Sequence, residues 1–137
     1  MQEHLKSLEA SGKPVVWCGD LNVCHFDADI WNVGAKHLAK SAGTTKEERE
    51  SFANALAAGK FVDCFRRVHG EEQTGWFTYW SVRAGNVPWN RGLRLDYFVA
   101  SQSLFEEQGA GPRVVDSQVL SDFVALDHAA ISLTLAI

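Results

Sequence analysis

The pattern of apolar and polar positions predicts a chain of mixed helices and strands. Apolar residues spaced among charges predict the tail of a helix over 2–10, and a second, clearer helix over 45–59. Apolar or alternating runs predict strands, and a further extended stretch is predicted to reach about residue 30. The predicted strands are 15–18, 76–80, 93–100, 113–120 and 129–137. We therefore expect an α/β (α+β) protein with a single domain over residues 1–137.

Composition and charge narrow the class of protein. Of 137 residues, 46% are hydrophobic, which is enough to form a core. The net charge of −4 argues against a broad positively charged surface for nucleic acid but is compatible with a local basic cleft. The amino terminus is too polar for a secretory signal, and no apolar run reaches the ~20 residues of a membrane helix. Three cysteines without a CxxC pair, Cys18, Cys24 and Cys64, predict buried, reduced thiols in a soluble cytosolic or nuclear protein.

The strongest local signal follows the first predicted strand, where residues 19–23 read GDLNV. This motif places a carboxylate, Asp20, and a carboxamide, Asn22, at the carboxyl end of an apolar run. Side chains alternate faces along an extended chain, so we expect both groups to point the same way. Together they could hold a water molecule or a phosphate.

A second signal is a carboxylate within an apolar segment. Asp96 lies among apolar neighbours, where burial costs several kcal/mol unless a partner holds the charge. We expect that partner to be His128, whose tautomer such a bond would fix, with Asp127 facing the cleft beside it as a ligand for a divalent cation. The alternative pairs Asp96 with Arg94 and leaves residues 127–128 as an ordinary turn.

Two segments rich in aromatic residues remain open to two interpretations. The aromatic block 76–80 could stack bases, but core packing is the more common role for most such side chains. The polar loop 83–91 contains cations, amides and Trp89, which is typical of a substrate loop. A solvated connector whose tryptophan folds back on the body fits this loop equally well.

Taken together and in order, these motifs resemble the exonuclease III and apurinic/apyrimidinic (AP) endonuclease family of the endonuclease/exonuclease/phosphatase superfamily. The likeness rests on the motif 19–23, Asn32, the block 76–79, the run 90–97 (NRGLRLDY) and residues 127–128. It implies a DNase I-like four-layer α/β sandwich. This chain would supply half of it, as one mixed and mostly antiparallel sheet flanked by helices.

The resemblance also implies an activity, a phosphodiesterase dependent on Mg²⁺ (or Mn²⁺) that cuts DNA 5′ of an abasic site, with 3′-exonuclease or 3′-repair activity in some members. By that likeness Asp20 orients or deprotonates the attacking water and Asn22 helps to place it. Asn32 contacts a phosphate oxygen, and His128, held by Asp96, stabilises charge on the phosphoryl oxygens.

By the same resemblance, Asp127 lies at or near the metal ion. The loop 83–93 corresponds to the segment that lines the abasic pocket and enters the DNA groove. Arginines there can grip phosphates, whereas an extruded sugar needs apolar walls. The residues expected to contact DNA are Asn32, Lys36, Trp89, Asn90, Arg91 and Leu93.

Some positions depart from the family pattern. Leu126 and Ala130 stand where the family usually has serine before Asp-His and proline after it, and Lys36 lies where a second asparagine is common. The family's metal-binding glutamate and catalytic tyrosine belong to an amino-terminal half for which residues 1–14 offer no counterpart. The isolated chain is therefore expected to be weakly active or inactive.

Half a sandwich would leave an apolar sheet face bare, so we expect a covering partner. The candidates are a second copy of this chain related by a two-fold axis, which we favour, a separate amino-terminal polypeptide, or a missing part of the same gene. Two other functions remain open. One is a non-catalytic remnant that binds DNA or dimerises, and the other is a phosphatase for small phosphoesters.

Overall fold

The computed structural model describes residues 2–107 and 111–137 and confirms the mixed α/β class. Most predicted helices and strands are present, with bounds shifted by a few residues. In chain order they are α1 (Gln2–Glu9), β1 (Val16–Asp20), α2 (Lys46–Gly59), β2 (Phe61–Asp63), α3 (Cys64–His69), β3 (Asp96–Ser101), β4 (Arg113–Ala125) and β5 (His128–Ala136). No helix in the described parts of the chain combines the length and the apolar character needed to cross a membrane.

The strands form two antiparallel sheets, so the expectation of one sheet is wrong. The first has the order β1-β3-β2, and the second is the hairpin β4-β5. Successive side chains of β3 point to opposite faces. Tyr97 and Val99 join a core with α1 and α2, whereas Phe98 and Ala100 face a cluster that includes side chains of the hairpin. The hairpin therefore packs across β3 instead of extending its sheet.

Helix α2 begins where the sequence indicates. Thr45 is its N-cap, and the Thr45 hydroxyl accepts the backbone N–H of Glu48 at 3.3 Å, while the Glu48 carboxylate accepts the backbone N–H of Thr45 at 3.3 Å. This reciprocal pair is the capping box that the sequence predicts. Phe52 and Leu56 then face the sheet and close the core against its helical side.

Two predicted extended segments are wrong. The stretch expected to reach residue 30 instead folds into a 3₁₀ turn, Asp27–Asp29, because the Asp29 carboxylate accepts the backbone N–H groups of His25 and Phe26. The segment 76–80 forms isolated bridges through Tyr79, not a strand. Some of its backbone hydrogen bonds are made with Leu93, and the others are made with residues at the start of β5.

The expectation of three buried thiols is wrong at one position. Cys24 and Cys64 are buried, but Cys18 is exposed. In the β1-β3 register Cys18 lies opposite Phe98 and Val16 lies opposite Ala100, so all four share one sheet face. The β4-β5 hairpin covers that face at β3 and leaves it open at β1, where Val16 is also exposed.

Candidate functional site

Residues 19–23 form a turn where β1 ends. Asp20 lies opposite Asp96 in the register of β1 and β3. Asn22 has a left-handed backbone with φ of 52°, and its N–H donates to Oδ1 of Asp20 at 2.9 Å. The extended geometry that we expected to align the two side chains is therefore wrong, because the chain turns after Asp20. The turn instead fixes one carboxylate oxygen of Asp20 and leaves the other, Oδ2, for further contacts.

The hydrogen bond expected between Asp96 and His128 is present. Nδ1 of His128 lies 2.8 Å from Oδ2 of Asp96, and Nε2 of the same ring lies 3.9 Å from Oδ2 of Asp20. The side chains are 14% exposed at Asp96, 32% at His128 and 36% at Asp20. The three side chains thus form a row that runs from Asp96, the less exposed carboxylate, through His128 to Asp20. Its outer end could hydrogen-bond a single oxygen atom between Asp20 and His128.

Thr78 links the two segments that carry Asp96 and His128. Its buried hydroxyl accepts the backbone N–H groups of Leu95 at 2.9 Å and Asp96 at 3.0 Å. Its carbonyl oxygen accepts the N–H of Ala129 at 2.8 Å, one residue after His128. Thr78 therefore sets β3 and β5 relative to each other at the point where Asp96 meets His128. Sequence reasoning missed it, and the available signal was a polar residue within an aromatic block.

A cleft of about 290 Å³ lies next to this row. Tyr79 connects the two, because it lines the cleft and its ring centroid lies 5.3 Å from that of His128. Leu93 and Asn32 also line the cleft, and Nδ2 of Asn32 lies 3.4 Å from Nε2 of His37. Lys36 is exposed at the start of a 3₁₀ turn, Lys36–Lys40.

The loop 83–91 holds its predicted residues in different environments. The Asn90 amide is engaged within the protein, because its Oδ1 accepts Nε1–H of Trp80 and its Nδ2 donates to the carbonyl oxygen of Gly75, both at 3.0 Å. Asn90 thus anchors the loop. Trp89 is 71% exposed and does not fold back on the body as the connector interpretation requires. Arg91 is exposed beside it and also lines the cleft.

Asp127 follows the tip of the β4-β5 hairpin. The tip is Leu126, which has φ of 59° and is 88% exposed. The carbonyl oxygen of Asp127 accepts the N–H of Trp80 at 2.9 Å, and its side chain is half-buried. Across residues 2–107 and 111–137, no group of three His, Cys, Asp or Glu side chains is placed to hold a metal ion. The described residues therefore do not form a complete metal site around Asp127.

Arg94 belongs to a buried ionic network, so the alternative pairing of Arg94 with Asp96 is wrong. Its Nε lies 2.7 Å from Oδ1 of Asp29, and its Nη2 lies 2.6 Å from Oδ2 of Asp63. Arg66 also bonds to Asp29, and Nδ1 of His25 lies 3.0 Å from Asp63. Sequence reasoning did not single out these partners, although Asp29 and Asp63 each interrupt an apolar segment.

The network changes the ionisation of its members. Burial by itself would raise the pKa of Asp63, but Arg94 and His25 outweigh it and lower that pKa to about 2. Burial likewise opposes the ionised form of Asp29, yet Arg94 and Arg66 hold its pKa below the usual value. The hydroxyl of Tyr97, whose pKa burial raises, donates to the carbonyl oxygen of Val23 at 2.6 Å. The network therefore fastens the segment after Asn22 to β3.

The chain is similar to known nucleases and to a family that also includes phosphatases. A profile described as the endonuclease/exonuclease/phosphatase family matches residues 2–122. An exodeoxyribonuclease of Bacillus subtilis is 41% identical over 125 residues, which are 91% of this chain and 46% of that protein. A DNA-(apurinic or apyrimidinic site) endonuclease of Dictyostelium discoideum is 44% identical over 111 residues, which are 81% of this chain and 29% of that protein.

Among solved structures, AP endonuclease LMAP from Leishmania major is similar at a TM-score of 0.84 and 30% identity. The similarity covers 97% of this chain and 40% of that one. The chain thus spans less than half the length of each of these relatives. The shared fold is the DNase I-like one expected from the sequence.

Proposed function

Because the chain belongs to the endonuclease/exonuclease/phosphatase family, we propose that it carries the phosphodiester-cleaving site of a DNA-repair nuclease that acts on abasic or 3′-damaged DNA. The observation that supports this most strongly is the row of Asp20, His128 and Asp96 beside a cleft. Hydrolysis of a phosphodiester needs a positioned water and stabilisation of charge on the phosphoryl oxygens. A covalent nucleophile is not needed.

In this proposal the two ends of the row have different tasks. Asp20 orients or deprotonates the attacking water, and Asn22 fixes that carboxylate through its backbone N–H and helps to place the water. When both ring nitrogens carry a proton, His128 donates from Nε2 and stabilises the charge that develops on the phosphoryl oxygens, and Asp96 orients the ring as a positioning residue. The distance of 3.9 Å between Nε2 of His128 and Oδ2 of Asp20 leaves room for one oxygen atom bonded to both.

The neighbouring cleft receives the DNA backbone in this proposal. Asn32 contacts a phosphate oxygen, Lys36 and Arg91 supply positive charge, and Leu93 provides an apolar wall for an extruded sugar. Trp89 contacts the DNA from the same loop, and Asn90 anchors that loop through its bonds to Trp80 and Gly75. Contacts between these cations and DNA phosphates release bound counterions, so a higher salt concentration is expected to weaken DNA binding.

A divalent cation, Mg²⁺ or Mn²⁺, is the cofactor that we propose for the complete enzyme, with Asp127 as one ligand. Such an ion would supply charge neutralisation at the phosphate. Hard cations of this kind take several oxygen ligands, and Asp127 has no companion set among the described residues. We propose that a partner, water and the substrate phosphate supply the remaining ligands.

We also propose that a partner covers the outer face of β1. Val16 is 39% exposed there beside the exposed Cys18, and β1 is an edge strand of its sheet. A second copy of this chain is the partner we favour, because two-fold dimers are the commonest assemblies. A separate amino-terminal polypeptide is the competing partner. Light scattering at micromolar concentration should give the mass of a dimer, and the mass of a compact monomer would contradict the proposed dimer.

The competing function is a non-catalytic module that binds DNA or dimerises. It is favoured by the incomplete ligand set around Asp127 and by Leu126 at the position before Asp-His. One assay distinguishes the two functions. The purified chain and an Asp20→Ala variant are each incubated with an abasic-site duplex and Mg²⁺. Cleavage by the wild type alone supports the nuclease. Absence of cleavage in both samples would leave only the binding module for the isolated chain.

A further inference from the structure

Arg91 lies near the rings of two exposed tryptophans, Trp31 and Trp89, and both Arg91 and Trp31 line the cleft. The guanidinium carbon of Arg91 lies 5.3 Å from the ring centroid of Trp31 and 5.8 Å from that of Trp89. The Trp31 residue is 42% exposed and the Trp89 residue 71% exposed. Exposed apolar patches rimmed by polar residues commonly mark interaction sites. We call these three residues the Trp–Arg–Trp stack.

The two segments that carry the stack are positively charged, although the chain as a whole is negatively charged. Residues 30–46 and 73–95 contain no aspartate or glutamate, although the whole chain has a net charge of −4. Exposed cations are spread over both segments. They are Lys36, Lys40, Lys46, Arg83 and Arg91. This face therefore attracts a polyanion while the rest of the surface repels one.

The backbone beneath the stack is fixed before any ligand arrives. The N–H of Trp31 donates to the carbonyl oxygen of Gly92 at 3.1 Å, which joins the two segments. A Cβ at Gly92 would lie 2.7 Å from atoms of Phe77, Tyr79 and Trp80, so only glycine allows this close approach. Asn90, with φ of 48°, anchors the other side of the loop. A preorganised surface binds with a smaller entropic cost.

We propose that the Trp–Arg–Trp stack binds an unpaired nucleobase next to the phosphodiester that is cleaved. A lone cation would be expected to bind a phosphate. Two exposed indoles beside a guanidinium favour a nucleobase, because the flat face of a base stacks on aromatic and guanidinium planes. The proposal rests on the nuclease function above, since it assumes DNA in the adjoining cleft. It adds a preference for substrates with an unpaired nucleotide beside the site.

The test is binding of three fluorescent DNA duplexes, measured by anisotropy in EDTA so that no strand is cut. One duplex is blunt, one carries a two-nucleotide thymidine overhang, and one carries the same overhang made of tetrahydrofuran abasic residues. The variants are Trp31→Ala, Trp31→Phe and Trp89→Ala. Val33→Ala and Val82→Ala are matched controls, because both valines are exposed in the same two segments. Circular dichroism confirms that each variant is folded.

We expect Trp31→Ala and Trp89→Ala each to weaken binding of the thymidine overhang by about 5- to 150-fold, the effect of one stacked base. Binding of the blunt and abasic duplexes should change by less than about twofold on the same scale, and Trp31→Phe should retain most of the affinity. Equal weakening of all three duplexes, or no change for the thymidine overhang, would overturn the proposal while leaving the nuclease function intact. If the wild type binds none of the duplexes, the nuclease function itself fails.

Discussion

Oδ2 of Asp96 lies 2.8 Å from Nδ1 of His128, so the ring is held by one nitrogen and presents the other, Nε2, toward Asp20. The carboxylate is the more buried partner, with 14% of its side chain exposed against 32% for the imidazole. A carboxylate that accepts from one ring nitrogen fixes both the tautomer and the orientation of a histidine. This pair is the positioning element of the proposed site.

The first prediction concerns that tautomer. Neutral His128 should carry its proton on Nδ1, where Asp96 accepts it, and two-bond ¹H–¹⁵N NMR spectra should show an unprotonated Nε2. In Asp96→Asn the amide can donate to Nδ1, so the proton should move to Nε2. Asp122→Asn, an exposed change on β4, is the control and should leave the spectrum as in the wild type. A wild-type ring protonated on Nε2 would contradict the arrangement.

The second prediction concerns Thr78. Thr78→Val keeps the shape of the side chain but leaves the N–H groups of Leu95 and Asp96 without their acceptor. Two buried donors without a partner should lower the free energy of unfolding by about 2 to 4 kcal/mol. Urea titration measures this loss. Thr78→Ser retains the hydroxyl and should lose less, so equal losses in the two variants would show that the bonds do not matter.

The third prediction concerns stability in acid. The folded pKa of Asp63, about 2, lies below the ordinary value of 3.8, so its contribution is present above about pH 4 and is lost as the pH falls toward 2. The shift corresponds to about 2 kcal/mol. Asp29, whose pKa is also lowered, adds to the loss in the same direction. Urea unfolding between pH 7 and pH 2 should reveal the decline.

A variant isolates the contribution of Asp63 from that of other carboxylates. Asp63→Asn breaks the bond network with Arg94 and His25 at every pH, so it should be less stable than the wild type at pH 7. It should also lose less stability on acidification. Parallel losses in the variant and the wild type would mean that Asp63 is not the group responsible.

The fourth prediction concerns thiol reactivity. Cys18 is exposed on β1, whereas burial raises the pKa of Cys24 and of Cys64 to about 12 in each case. In the folded protein one thiol should therefore react quickly with an aromatic disulfide reagent, and Cys18→Ser should abolish that phase. If a partner covers the face of β1, the rate should fall as protein concentration rises. Fast reaction of two or more thiols would contradict the burial.

Local signals predicted the parts of the fold that depend on neighbours in sequence. The capping box of Thr45 and Glu48 fixes a helix start within one turn, so it could be recognised from the residues themselves. The pairing of Asp96 with His128 was also predictable, because a carboxylate among apolar residues needs a partner and few candidates exist. The capping box needs only short-range geometry, whereas Asp96 and His128 lie 32 positions apart and their pairing was predicted from residue chemistry.

Features set by distant segments could not be predicted in this way. Asp29 and Arg94 are 65 positions apart, and nothing local to either one indicates the other. The loss of a regular strand at 76–80 depends on hydrogen bonds to distant parts of the chain. The exposure of Cys18 depends on how far the β4-β5 hairpin reaches across the sheet. These outcomes are decided by tertiary packing, which overrides local propensity.

The most direct test of the central claim is single-turnover incision of an abasic-site duplex in Mg²⁺ by the wild type, Asp20→Asn, His128→Gln and the double variant. Residues that act on one reaction centre as a unit have non-additive effects. Each single change should slow incision by about 100-fold or more, and the double change by no more than about tenfold beyond that. Asp122→Asn should match the wild type. Incision that either single variant leaves unchanged would contradict the account. So would absent incision by the wild type when an amino-terminal half is added to supply the remaining metal ligands.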